Sequence, residues 1–224
     1  MQNRLLVCFA VKEEAAPFRQ RLGQQSGVQI LLTGMGGSNA ERAVRNALAS
    51  PAQAQPAKPD LVLSCGFAGG LRPDLERGAV LYETDTGANV STNLEAAGAR
   101  KARFLFSTRV ATTAAEKRVL YEQSKADAVE MESQTVRAIC TEHGIPSATV
   151  RVVLDTADED LPFDFNDLMT PYQRLSYGKL ALALARSPGK ISVLLHLQKQ
   201  SQFAAEKLAT VLLSFLKSAK KSQF

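Results

Sequence analysis

The chain alternates short, largely apolar runs with stretches of helical spacing, and this alternation limits its fold more than any other feature. The runs are Leu5 to Val11, Val28 to Leu32, Leu61 to Cys65, Ala79 to Tyr82, Phe104 to Phe106, a short one ending at Val129, and Ala148 to Leu154. Strands that are apolar toward both faces belong to sheets covered on both sides, and such sheets are mostly parallel. Helical patterns intervene over Glu13 to Leu22, Asn39 to Ala49, Ala114 to Gln123 and Ser133 to His143. The expected class is therefore α/β: a three-layer α/β/α arrangement around a mostly parallel central sheet. After Pro171 the pattern turns wholly helical, so residues 170–224 read as a helical C-terminal part. With 224 residues, 45% of them hydrophobic, one core suffices and the whole chain reads as a single domain.

Composition removes several functions. The formal charge is +5, but the excess is not gathered into an aromatic-interleaved patch, and there is no Trp. No nucleic-acid partner is expected. Cys8, Cys65 and Cys140 are odd in number, far apart and embedded in apolar runs. They read as buried thiols of a reducing compartment. With only His143 and His196, a histidine-based metal centre or triad is not expected. The Gly34-Met35-Gly36-Gly37 segment lacks the third glycine and the later acid of a dinucleotide site. Neither a metal nor an organic cofactor is expected. No apolar run is long enough to cross a bilayer. Lys12-Glu13-Glu14 follows Val11 where a signal peptide would be cleaved, so Leu5 to Val11 reads as the first strand of a cytoplasmic protein.

The chemistry concentrates at four strand ends. Ala126 to Ser133 reads as a short buried strand that stops at Glu130-Met131-Glu132, with a helix starting near Ser133. Unpaired buried carboxylates are costly, so two acids around a thioether suit a site filled by hydroxyl groups. The plain alternative is a pair of solvated acids at a helix start. Glu13 and Glu14 follow the first strand and admit the same two readings. Gly66-Phe67-Ala68-Gly69-Gly70 follows Cys65 and reads as a tight turn whose backbone a ligand can approach closely. Asp155 follows Leu154 in a segment with Asp158, Glu159 and Asp160. A carboxyl among other acids has its pKa raised, as a proton donor requires. Parallel sheets bind ligands at the carboxyl ends of their strands, so all four ends are expected at one rim.

Ala10 to Phe18, Cys65 to Leu71, Val129 to Ser133 and Val150 to Asp158 resemble, in the same order, blocks of the nucleoside phosphorylase-I superfamily. In particular they resemble its methylthioadenosine/S-adenosylhomocysteine nucleosidase branch. The resemblance covers residues 4 to about 168 and implies cleavage of a purine N-glycosidic bond. Carried over, Asp155 would protonate the leaving purine at N7, and Glu14 would activate water. Glu132, beside Glu130, would bind the ribose hydroxyls and Met131 would pack on the sugar. Ala68, Gly69 and Phe67 would line the centre. An oxocarbenium-like sugar needs nearby anions and the departing base needs a proton, so these residue types fit the reaction. No clustered arginines surround Glu14, although Arg19 and Arg72 are within sequence reach. Hydrolysis is therefore expected over phosphorolysis, with phosphate as the alternative co-substrate.

The chain departs from that pattern in places. Leu154 stands where the nucleosidases carry Ser before the acid, and Phe67 where they carry Ser or Thr. Ala111 falls near the position of the ring that stacks on the base, so Phe67 or Phe163 is expected to supply it. The segment from Glu83 to Ala102 looks shortened, which is expected to open the 5′ side of the sugar. Leu175 to Ala185, Arg186-Ser187-Pro188-Gly189, Ile191 to Leu197 and Phe203 to Lys217 resemble the tail of hopanoid-associated phosphorylases, which release adenine from adenosylhopane. That resemblance implies a large apolar 5′ substituent. The last helix, followed by Lys220 and Lys221, suits peripheral contact with an anionic membrane. The same helices read equally as a cap or as the face of a homodimer. A soluble methylthioadenosine-type nucleosidase and a non-catalytic nucleoside-binding protein are the alternatives.

Overall fold

Strand β1 (Leu5–Phe9) buries all five of its residues, and the period of two divides them between two cores. Leu5, Val7 and Phe9 join one core together with residues of α1 (Lys12–Leu22) and α7 (Lys190–Ala219). Leu6 and Cys8 join a second with residues of α2 (Gly37–Ala49) and α5 (Ser133–Glu142). Strand β3 (Leu61–Gly70) divides likewise, with Leu61, Leu63 and Cys65 on the first side and Val62 on the second. The result is the three-layer α/β/α arrangement expected of strands that are apolar on both faces. The structure is a computed structural model, and residues 4–23, 27–49, 58–85, 87–170 and 189–219 are described.

Among the described residues the sheet runs β2 (Val28–Leu32), β1, β3, β8 (Ser147–Asp155), β4 (Val80–Thr84), β5 (Arg100–Lys101). β2, β1, β3 and β8 are mutually parallel, and β4 is antiparallel to β8. β1 ends opposite Cys65, and farther along the same long strand Gly69 and Gly70 pair with β7 (Ala128–Glu130). β7 is antiparallel to β3, with Val129 opposite Gly69, and carries β6 (Phe104–Phe106) parallel at its other side. α3 (Ser91–Ala96) and α4 (Ala114–Ser124) complete the connections, and a single turn of helix, α6 (Phe165–Leu168), follows β8.

Three sequence expectations change. Gly66 to Gly70 is not a turn. β3 continues through it, with a register shift against β8 between Ala68 and Gly69, because β8 along Val62 to Gly69 and β7 at Gly69 and Gly70 supply backbone partners. Ile191 to Leu197 and Phe203 to Lys217 are not successive helices but parts of the one helix α7, which runs unbroken through the polar residues between them. Its apolar surface from Ala204 to Leu216 is core wall: Ala204, Leu208, Leu212 and Phe215 are buried in the first core. That surface is therefore not available for contact with a membrane. Leu175 to Ala185, most of the Arg186 to Gly189 break, Lys220 and Lys221 lie outside the described residues. Finally, the segment from Glu83 to Ala102 carries α3 and β5, and α3 packs on α7. Among the described residues it contributes nothing to the wall of the rim cavity. Among the described residues no helix is long and apolar enough to cross a membrane.

Candidate active site

A cavity of roughly 220 Å³ opens at the sheet rim, and Glu14, Phe67, Ala68, Gly69, Glu130, Met131, Glu132 and Asp155 all border it. The four strand ends do converge. For β1, β3 and β8 the reason is the one given by the sequence, since all three are parallel. The Glu130-Met131-Glu132 triplet arrives differently. β7 runs antiparallel beside the end of β3 and so lays its last residue back over Ala68 and Gly69.

Glu14 is not a solvated first-turn acid. It is 4% exposed, and its Oε2 accepts the Ala10 and Val11 amides at 2.9 and 3.2 Å, half of a capping box. Its Oε1 accepts the Phe67 amide at 2.9 Å. Glu13, one residue earlier, is exposed beside Lys12. The side chain that organises this end of the cavity is one the sequence reading passed over. Arg151, in the middle of β8, is 1% exposed and its Nη2 lies 2.7 Å from Glu130 and 3.2 Å from Glu132. The same nitrogen donates to Ser64 Oγ at 3.2 Å. A Cβ on Gly66, whose φ is +151°, would come within 2.7 Å of both Glu14 Oε1 and Arg151 Nη1. Gly66 is thus the bare floor between acid and cation.

The three carboxyls divide their tasks. Glu130 has no exposed side-chain surface, and its oxygens take the Glu132 and Ser133 amides, the Ser133 hydroxyl and Arg151. Its bonding capacity is committed within the protein, where it holds Arg151 and the start of α5. Glu132 takes the Gly36 amide at 2.7 Å and one contact with Arg151, and it keeps some exposure to the cavity. Burial pushes the Glu14 carboxyl up to about 7 and also raises Glu132, while the Arg151 guanidinium opposes both shifts.

Asp155 is the last residue of β8, 8% exposed. Its carboxyl is raised chiefly by burial, with Lys117 pulling it down and Glu159 adding a smaller push. The expected crowd of acids is only part of the cause. Asp160 accepts the Ala114 amide, and Glu159 accepts the Thr156 amide and pairs with Arg77. Lys117, also missed by the sequence reading, is fully buried against Asp155.

The remaining wall is mostly apolar. Leu154, Leu161, Phe165 and Leu197 border it, together with Met35, Val110 and Ala111. The ring added to Phe67 is Phe165 and not Phe163, which is buried with its ring 6.4 Å from that of Phe165 and nearly perpendicular to it. Phe165 is placed by its neighbour: Asn166 donates to the Val110 carbonyl and accepts the Val110 amide, tying α6 to the cavity wall. Arg72 is engaged by Asp74 and Asp127, and neither it nor Arg19 borders the cavity. Among the described residues no group of three or more His, Cys, Asp or Glu side chains is placed to hold a metal ion.

The family model described as the phosphorylase superfamily matches residues 101–183. Futalosine hydrolase of Helicobacter pylori strain 26695 superposes with a TM-score of 0.69 at 14% identity, covering 97% of this chain and 99% of that one. This chain shares that hydrolase's fold. The 5′-methylthioadenosine/S-adenosyl homocysteine nucleosidase of Campylobacter jejuni has the same fold, with a TM-score of 0.67 at 15% identity over 96% of this chain and 99% of that one. The Neisseria meningitidis 5′-methylthioadenosine/S-adenosylhomocysteine nucleosidase, solved in complex with methylthio-immucillin-A, gives 0.66 at 16% identity over 97% of this chain and all of that one. The resemblance read from the sequence thus extends to the whole fold. No curated protein matches the sequence.

Proposed function

We propose that this protein cleaves the N-glycosidic bond of a purine nucleoside, with water as the nucleophile. The observation that carries the reading is the pairing, across one rim cavity, of a buried acid raised by burial, Asp155, with a carboxylate cluster around Arg151. Asp155 protonates the leaving base. Glu14, poised near neutrality, takes a proton from the attacking water. Glu132 receives the ribose hydroxyls, and Met131 packs on the sugar. The anions at the Glu14 end stabilise the cationic sugar as the bond opens.

The charge balance supports water over phosphate. Arg151 is shared between Glu130 and Glu132 and lies beside Glu14, so a phosphate dianion there would meet more carboxylate than guanidinium. Arg109 borders the cavity but pairs with Glu116. The apolar wall of Leu154, Leu161, Phe165 and Leu197 supports an apolar 5′ substituent. The test is base release from a panel containing adenosine, methylthioadenosine, inosine and an adenosine with a long 5′ alkyl chain, each with and without phosphate. Free ribose-type product without phosphate is the expected result. A strict phosphate requirement with sugar phosphate as product would overturn hydrolysis, and failure to release base from any nucleoside would overturn the whole assignment.

A further inference from the structure

Helix α4 starts on a Thr113 cap, whose side chain accepts the Glu116 amide, and its Lys117 points into the protein with no exposed surface. A buried lysine tends to lose its proton unless it is fully partnered. An ammonium has three N–H groups, and here three acceptors surround Nζ. It is in ion-pair contact with Asp155 Oδ2, and it donates to the Thr156 and Glu159 carbonyls at 2.8 Å each. Those acceptors are the carboxyl at the end of β8 and two backbone groups of the loop that follows it. One side chain therefore fixes both the acid and the loop that carries it.

The other charged groups facing this acid are Glu159 and Arg77. Arg77, on the connection between β3 and β4, donates to the Leu154 carbonyl and pairs with Glu159. Both are tied to each other and to backbone. Lys117 is the cation whose partner is Asp155 itself. Oδ2 is sealed in contact with it, while 12% of the Asp155 side chain stays accessible and the residue borders the cavity.

We infer that Lys117 is the positioning residue of Asp155: it turns the carboxyl toward the cavity and stabilises the carboxylate that remains once the proton has left. This rests on the glycosidic cleavage proposed above. In that step the bond between C1′ and the base nitrogen breaks and its electron pair stays with the base. The Asp155 proton passes to the base, water bonds to C1′ and gives its proton to Glu14, and Asp155 is left as a carboxylate against the Lys117 ammonium. Lys117 makes Asp155 a stronger acid than burial alone would. Without that cation Asp155 would hold its proton to higher pH and give it up less readily.

The test compares wild type, Lys117→Met, Lys117→Arg, Asp155→Asn and the Asp155→Asn/Lys117→Met double variant, each checked for folding by thermal denaturation. Rates are measured against pH for base release from methylthioadenosine and for nitrophenol release from p-nitrophenyl riboside, whose leaving group needs no proton. In Lys117→Met, base release is expected to fall by roughly ten- to a hundredfold. The limb where activity is lost as pH rises is expected to move up by about one unit. Nitrophenol release stays near wild type, and the double variant is no slower than Asp155→Asn. Lys117→Arg keeps the charge and with it the position of the limb, while losing rate on the nucleoside alone. Equal losses on both leaving groups with an unmoved limb, in either folded variant, would reduce Lys117 to a packing role. A wild type inert on every nucleoside would instead overturn the underlying reaction.

Discussion

Replacing Arg151 by Met removes a cation from a nearly sealed site while keeping its approximate volume. Glu14, Glu130 and Glu132 then share that site without their common partner. Breaking a buried pair from one side costs about 3–5 kcal/mol when the charge left behind stays ionised. A carboxylate can escape that cost by taking up a proton, at about 1.4 kcal/mol for each pH unit above its unfolded pKa of about 4.3. At about pH 5 the escape costs roughly 1 kcal/mol per carboxylate, whereas at about pH 8 it costs roughly 5 and offers no relief. Burial already raises Glu14 and Glu132 against the pull of Arg151, so both are ready to take the proton once it is gone. For a chain of this size each kcal/mol moves the melting temperature by about 2–4 °C. Arg151→Met should therefore melt about 10 °C below wild type near pH 8, and only a few degrees below it near pH 5. Paired thermal melts at the two pH values decide the matter. Equal depressions would mean that the carboxylates have other sources of compensation and that Arg151 is not the hub of the cluster.

The Glu14 carboxyl, pushed up to about 7, must be ionised to accept a proton from water. Base release should therefore fall as pH drops through about 7; a limb near the ordinary carboxylate range would remove Glu14 from that role. In the fold, the same raised value means that Glu14's proton favours the native state below about 4.5 and that this contribution is lost as pH rises through about 7. Glu14→Gln, which carries no charge to bury, should accordingly gain melting temperature relative to wild type above neutral pH and not below about pH 5, a comparison made by the same melts. Asp155→Asn should stay folded and lose roughly two orders of magnitude or more in turnover of an unactivated nucleoside; near-normal release would place the proton donor elsewhere.

The strands were legible because an apolar run covered on both faces has few other places to go. β1, β2 and β6 lie at or within a residue or two of the runs that announced them. The continuation of β3 through Gly66-Phe67-Ala68-Gly69-Gly70 was hidden because glycine loosens the chain equally for a turn and for close approach of other groups. Here Gly66 makes room for Glu14 and Arg151, and β7 holds the end of the strand in place. The direction of β7 was hidden for a different reason: its three residues carry no sign of the strand beside which they lie. Within the site, the acids at the strand ends were visible because charge at the edge of an apolar run has no obvious packing purpose. Arg151 and Lys117 were missed because each reads locally as something ordinary, a polar interruption of a strand and a basic residue on a helix. The available signal was Arg151 itself: a guanidinium inside Val150 to Leu154 is tolerable only if acids wait for it. Their positions along the chain, near residues 14, 130 and 132, become neighbours only once the sheet exists.

Strand β8 is paired by β3 from Ser147 to Asp155 on one side and by β4 from Ala148 to Val152 on the other, and it carries both Arg151 and Asp155. Backbone amides in such a strand exchange with solvent deuterium mainly when the whole domain opens. The groups that set charge at the two ends of the cavity are consequently mounted on one of the slowest-exchanging parts of the molecule. On warming, they should not drift apart gradually while the rest of the domain persists. Their register should hold until the sheet itself opens, so that loss of the site and loss of deuterium protection in residues 150–155 coincide in a single transition.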